Sequence, residues 1–225
     1  LSSADTYALA YGVIWVALFL LVSGPIHECA HAYAALKMGD GTAKLFGRIT
    51  LDPITHFDPV GGGLLIISVV LNVVSHYPGV GFGWAKPTPV NPYNLRGKHA
   101  DSIVAAAGPI SNLILALVCA IAFRFMWSSG YSPTNDNFPD LVTLIFFIGV
   151  ELNLFLMLFN FIPVAPLDGS HVLLDFVSPR TAMELRGYMN QYGIMLLLVV
   201  VLLAGRIIYP IMAPIGNFLI GVQGY

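Results

Sequence analysis

An all-α polytopic membrane protein is the fold this sequence predicts, with about five to six transmembrane or re-entrant helices and small β-strand or hairpin elements at the cytosolic membrane face. Three observations carry that reading. The 225 residues are 57% hydrophobic and only 10% charged, whereas soluble domains carry roughly 25% charge, so too little polar surface exists to cover the fold in water. Several uncharged stretches approach or exceed the roughly 20 apolar residues that cross a bilayer. Segments rich in Gly and Pro separate these stretches, and no internal repeat or change of composition divides the chain, so residues 1–225 are read as one domain. The net charge of −2 and the lack of a basic patch argue against a nucleic-acid partner. Cys29 and Cys119 make no disulfide framework.

The first apolar segment, 7–37, would be about 46 Å long as one helix. It runs on into a polar motif instead of ending at a cleavage site, and is read as a span rather than a cleavable signal peptide. Its excess length over the roughly 30 Å hydrocarbon core calls for tilt or a bend, and Gly24-Pro25 is where a bend or a fresh helix start is expected. Residues 42–59 alternate over short range and are punctuated by Pro, which predicts the strand or hairpin. Residues 60–77 are apolar but short, and include Gly61-Gly62-Gly63. Residues 78–97 hold too many Gly and Pro for a helix. Spans are expected at 103–127 and 141–162, a short helix from Asp168 to residue 177, and a last span at 193–209 followed by a tail interrupted by Pro210 and Pro214.

Loop charges orient these elements. Lys37, Lys44, Arg48, Lys86, Arg96, Lys98, Arg180 and Arg186 mark one side, while residues 1–6 and 128–140 hold no Lys or Arg. The basic side is the cytosol. Arg124 and Arg206 fit this scheme poorly. Because 60–77 is flanked by basic regions on both sides, it is expected to enter and return rather than cross.

The first span ends in His27-Glu28-Cys29-Ala30-His31. On a helix, two histidines four residues apart lie one turn apart on one face and can converge on one metal ion. Glu28 lies about 100° round, near the metal without being forced to ligate it. Two His ligands and a glutamate base at this spacing form the zinc-hydrolase arrangement. The apolar context strengthens it, because ionisable groups at membrane depth are costly and usually functional. A catalytic zinc takes a third protein ligand. Candidates at depth are Glu151, Asp168 and His171; His56, Asp58, His76, His99 and Asp101 fall in loops. His31 is six residues before Lys37, about 9 Å along a helix. The span starting at 141 reaches the same half of the membrane near Asn160, breaks at Pro163 and Pro166, and re-enters at Asp168, which favours Asp168. Glu151 sits nearer mid-span and reads better as a hydrogen-bonded structural carboxyl.

The ordered motifs HECAHA (27–32), AGPISNLILAL (107–117) and NFIPVAPLDGSHVL (160–173) resemble the site-2 protease family of intramembrane zinc metalloproteases. GRITLDPITHFDPVG (47–61) and GWAKPTPVNPYNLR (83–96) are similar to its compact prokaryotic members without PDZ or CBS domains. The resemblance implies one Zn2+ held by His27, His31 and Asp168, with Glu28 as base and Asn160 in contact with the substrate or transition state. It also implies that Asn112 packs against the site. His171, where members vary, is open between a supporting group, a substitute ligand and a helix-surface residue. The function implied is hydrolysis of peptide bonds within or near the transmembrane segment of a single-span membrane-protein substrate, in a multi-pass protein of a prokaryotic plasma membrane, with the site in the cytosolic half of the lipid bilayer. Residues 84–91 are expected to offer a strand edge to an extended substrate. A metal or proton transporter and a catalytically inactive binding scaffold are the competing classes.

Overall fold

The computed structural model describes residues 3–75, 81–130 and 141–221. His76 and the loop at 131–140 lie outside them. Helix α1 (Ser3–Leu18) passes through a π-helical turn, Phe19–Ser23, into α2 (Gly24–Lys37). Pro25 has no N–H for the carbonyl four residues back, and its ring would collide with that carbonyl in a regular helix. The wider turn, closed by the Gly24 N–H on the Phe19 carbonyl, carries the chain past the collision. The expected break is therefore a bulge, and Thr6–Lys37 is one continuous membrane-length helix.

Short helices α3 (Thr42–Leu45) and α4 (Pro53–His56) occupy the stretch where a strand or hairpin was expected. Among the described residues there is no strand. The prolines that suggested strand punctuation instead mark helix starts: Asp52 accepts the Ile54 N–H at 3.1 Å and Pro53 occupies the first turn, where its missing donor costs nothing. Asp58 caps α5 (Pro59–Ser75) in the same way, accepting the Val60 and Gly61 amides at 2.9 and 2.8 Å.

Residues 81–91 are extended and run back along α5. Gly81 lies against Val69 and Leu65, Gly83 against Leu65, and Trp84 against Gly61. A Cβ on Gly61 would fall 2.2 Å from the Trp84 carbonyl oxygen, and one on Gly83 would fall 2.4 Å from the Gly61 carbonyl oxygen. The glycines of 61–83 thus let helix and returning chain touch backbone to backbone. The same segment continues beside α2, with Ala85 next to Gly24 and Asn91 at Asp40.

The remaining helices are α6 (Ala100–Ser128), α7 (Leu141–Asn160), α8 (Asp168–Phe176) and α9 (Pro179–Ile220). Helix α9 has 42 residues and continues through Pro210 and Pro214, so the expected interruptions are absent; such prolines are tolerated where neighbouring helices re-satisfy the backbone. Its start is fixed by Ser178, whose hydroxyl accepts the Thr181 N–H at 3.2 Å. Among the described residues, four helices are long and apolar enough to cross a membrane. Helix α6 is central, packed on α2, α7, α8 and α9. Gly108, Asn112, Ala116 and Ala120 recur at four-residue spacing along it and are buried, the small-residue stripe that lets apolar helices approach closely. Arg124 donates to the Phe218 carbonyl in the last turn of α9. It serves a helix C-terminus, where a cation is favoured, which accounts for a basic residue away from the basic loops.

One buried carboxylate ties the end of α2 to the extended segment. Asp40 is fully buried and accepts the Thr42 amide at 3.0 Å, the Thr42 hydroxyl at 2.5 Å, the Asn91 amide at 2.7 Å and Asn94 Nδ2 at 3.0 Å. Burial pushes its carboxyl up, but the hydrogen bonds from Thr42, Asn94 and Asn91 outweigh burial and hold it down at about 2. A depressed native pKa contributes stability above the unfolded value, near 3.9, and that stability is lost as pH falls through about 2. Asp40→Ala is expected to cost at least ~2 kcal/mol at neutral pH, because buried donors lose their acceptor. In thermal unfolding scans in detergent, the gap between wild type and variant should close as pH falls from about 4 to about 2.

Candidate metal centre

His27 and His31 lie one turn apart on α2 and face α6 and the start of α8. Their Nε2 atoms are 3.0 Å apart, and each lies close to Asp168 Oδ2, at 3.3 and 3.4 Å. Asp168 is the first residue of α8. It arrives there because the chain leaves α7 at Asn160 and turns through 161–167, with a cis peptide at Ala165-Pro166. Among the described residues, these three are the group of His, Cys, Asp or Glu side chains whose ligand atoms come close enough to hold one ion.

The outer nitrogens of both rings are engaged. His31 Nδ1 lies 2.7 Å from the Val104 carbonyl oxygen, which can only accept, so that nitrogen carries the proton. His27 Nδ1 lies 2.6 Å from Asn112 Oδ1, likewise an acceptor. When the rings are neutral, both Nε2 atoms therefore present lone pairs inward. Asp168 Oδ2 is buried and makes no hydrogen bond. In that state two lone pairs and a carboxylate oxygen converge, an arrangement that a cation satisfies. A proton on one ring would serve one of the contacts; a divalent ion serves all three. Tetrahedral bonds of about 2.0–2.1 Å imply ligand separations of about 3.3 Å, close to those observed. The donor set of two imidazoles and one carboxylate is one that zinc accepts.

Gly108 of α6 faces this centre. A Cβ there would lie 2.2 Å from His31 Nε2 and 2.6 Å from His27 Nε2, so it would fill the cradle the three ligands leave. In the sequence nothing sets this glycine apart beyond its place in a motif.

Glu28 lines the same cavity, about 690 Å³ in volume, together with Asn160, His171 and residues of the extended segment. Its Oε2 accepts the Thr88 N–H at 2.7 Å, while the Thr88 hydroxyl donates to the Glu28 carbonyl at 2.9 Å. Asn160 Nδ2 donates to the Leu156 carbonyl at 2.9 Å. His171 is not among the converging ligands; its Nδ1 lies 3.0 Å from Asp101 Oδ2. A second pair, His99 and Asp175 at 2.7 Å, joins α8 to the residue that precedes α6. Glu151 stands apart, buried and bonded by the Tyr11 hydroxyl. His56 is buried against the Thr50 carbonyl at 2.9 Å, and Asp58 is spent on the α5 cap. Asn153 went unnoticed in the sequence: it donates to the Gly149 carbonyl at 2.8 Å and accepts Asn112 Nδ2 at 2.9 Å. An isolated Asn in an apolar span was the signal available for it.

Gly108→Ala is expected to lower zinc affinity by more than about tenfold, the scale at which disturbed ligand surroundings are felt, as measured by chelator competition. Gly187→Ala, where a Cβ meets open space, should bind zinc like wild type.

The chain is 37% identical over 207 residues to "Putative zinc metalloprotease YwhC" of Bacillus subtilis (strain 168), covering 88% of this chain and 85% of that one. It is 30% identical over 206 residues to "Putative zinc metalloprotease Rip2" of Mycolicibacterium smegmatis (strain ATCC 700084 / mc(2)155), covering 89% and 72%. It is 25% identical over 170 residues to "Zinc metalloprotease MJ0392" of Methanocaldococcus jannaschii, covering 75% and 36%. No family profile matches the chain, and no solved structure matches it significantly. The relatives are zinc enzymes by name, and the cluster of His27, His31 and Asp168 suits that metal. The extent and identity of the first of these likenesses place the chain in the site-2 protease family of zinc metalloproteases.

Proposed function

We propose that this membrane protein is an intramembrane endopeptidase that hydrolyses peptide bonds within or near the transmembrane segment of single-span membrane proteins, as in regulated intramembrane proteolysis. The observation that carries the proposal is the position of the ligand cluster. His27 and His31 lie within the membrane-length helix Thr6–Lys37, and the facing wall is α6, also of membrane length. A hydrolytic centre in that position acts on substrates at membrane depth. The basic residues flanking α2, the 81–98 region and α8 support a site in the cytosolic half of the bilayer, with the ends of 1–6 and 128–140 outside. The return of residues 81–84 along α5 supports the reading of α5 as re-entrant.

His27, His31 and Asp168 would hold the zinc ion. When bound, zinc polarises the scissile carbonyl and lowers the pKa of water to about 7. Glu28 takes the proton from the attacking water and returns it to the leaving amine. The Thr88 amide holds its Oε2, which keeps the carboxylate oriented and leaves Oε1 for that transfer. Asn160, with one amide hydrogen on Leu156, has a second to offer the developing oxyanion. Asp101 and His171 line the polar end of the cavity and supply a wet approach for water.

An extended substrate would lie along residues 83–88. Among the described residues the amides of Gly83 and Ala85 have no hydrogen-bond partner, so this edge can take up backbone groups that an unwound substrate helix exposes. Pro87 and Pro89 remove donors farther along the edge and discourage pairing with a second copy.

Glu28→Gln should keep its zinc and lose cleavage of a single-span substrate in proteoliposomes by roughly 10²–10⁴-fold. Equal cleavage by variant and wild type would end the reading. Ala85→Pro should lower cleavage at least ~10-fold at unchanged zinc content if the edge carries substrate; a fully active variant would remove that role from the segment.

A further inference from the structure

The hydrogen bonds behind His27 form a one-way chain that reaches from α2 through α6 to the backbone of α7. It starts at the Gly149 carbonyl, which can only accept. Asn153 must therefore turn its Nδ2 toward Gly149, at 2.8 Å, which leaves Asn153 Oδ1 facing α6. That oxygen requires a donor, so Asn112 presents its Nδ2, at 2.9 Å. Asn112 Oδ1 is then left for His27 Nδ1, at 2.6 Å. An amide can normally flip, and a flipped Asn112 would donate to His27 and favour the tautomer with its proton on Nε2. Here each amide is fixed by the next. Asn112 is fully buried and Asn153 is 3% exposed, so bulk water does not compete for either. His31 needs no such device, because its Nδ1 already faces a carbonyl, that of Val104.

We infer that Asn153 is a positioning residue for the metal centre: acting through Asn112, it fixes the Nδ1–H tautomer of His27 and keeps the Nε2 lone pair aimed at the ion. The inference rests on the reading of His27 as a zinc ligand. Groups that orient a ligand from behind typically contribute 10–100-fold to metal affinity.

Two substitutions separate this role from packing. Asn153→Leu fills the space and removes both the acceptor for Asn112 and the donor for Gly149. Asn153→Asp restores the direction of the chain: as an acid it donates its O–H to Gly149 and accepts from Asn112, and as a carboxylate it still accepts from Asn112. Zinc affinity of the full chain in detergent, by chelator competition, is expected to fall about 10–100-fold for Asn153→Leu and to stay within about threefold of wild type for Asn153→Asp. Nitrogen-15 NMR of labelled histidine in the zinc-free chain is expected to report Nδ1–H for His27 in wild type and in Asn153→Asp, and a mixture of tautomers in Asn153→Leu. If Asn153→Leu does not fold, Asn153→Ala takes its place in both measurements. Wild-type affinity and an unmixed tautomer in the apolar variant would overturn the inference, as would equal losses in both variants. A wild-type chain that binds no zinc would instead overturn the metal reading beneath it.

Discussion

Three acceptor atoms that repel one another are held together in a region built from apolar helices. His27 Nε2, His31 Nε2 and Asp168 Oδ2 lie 3.0–3.4 Å apart, and with the outer nitrogens engaged the neutral rings have no proton to share among them. In a low dielectric such convergence is expensive, and much of the rest of the fold serves to hold it. Helix α2 brings two ligands on one face, the turn at 161–167 returns the chain so that α8 begins on the third, and α6 closes the back wall. The histidine–aspartate pairs His99–Asp175 and His171–Asp101 hold α8 to the start of α6, so the position of Asp168 depends on contacts at that end of α6 as well as within the bundle.

Much of this was legible because membrane proteins write their constraints plainly. Long uncharged runs gave α6 and α7 nearly to their ends, and the four-residue spacing of His27 and His31 defined a shared face before any tertiary contact was known. Asp168 could be placed near them by following chain direction and loop charge. Those signals are local, or depend on hydrophobicity alone, and both are visible in one dimension.

What escaped depended on partners far along the chain. Prolines 53, 210 and 214 have two meanings, helix start or helix interior as well as break, and neighbours decide between them; at 53–56, within the strand expected at 42–59, Asp52 caps a helix instead. Gly108 looks like any small residue until the two imidazoles are set against it. Asn153 is an isolated amide in an apolar span, and its meaning rests on Asn112, 41 positions earlier. Thr88 is likewise silent until the extended segment is laid along α2 and its amide meets Glu28, 60 positions away.

The π turn at Phe19–Ser23 bears on how such a protein can change over evolutionary time. One turn of this kind accommodates an extra residue without ending the helix, and each residue turns the faces that follow by about 100°. Upstream, Tyr11 and Trp15 meet α7 through Glu151 and Phe155; downstream, His27 and His31 meet α6. The two halves of one continuous rod thus address different neighbours, and the spacing between them is set by a single position. Loss of one codon between 19 and 23 would let this stretch close as a regular helix with the faces on either side still in register, and would set the ring of Pro25 against a carbonyl of the preceding turn. The extra residue is thus tied to one proline rather than to the aim of the metal ligands.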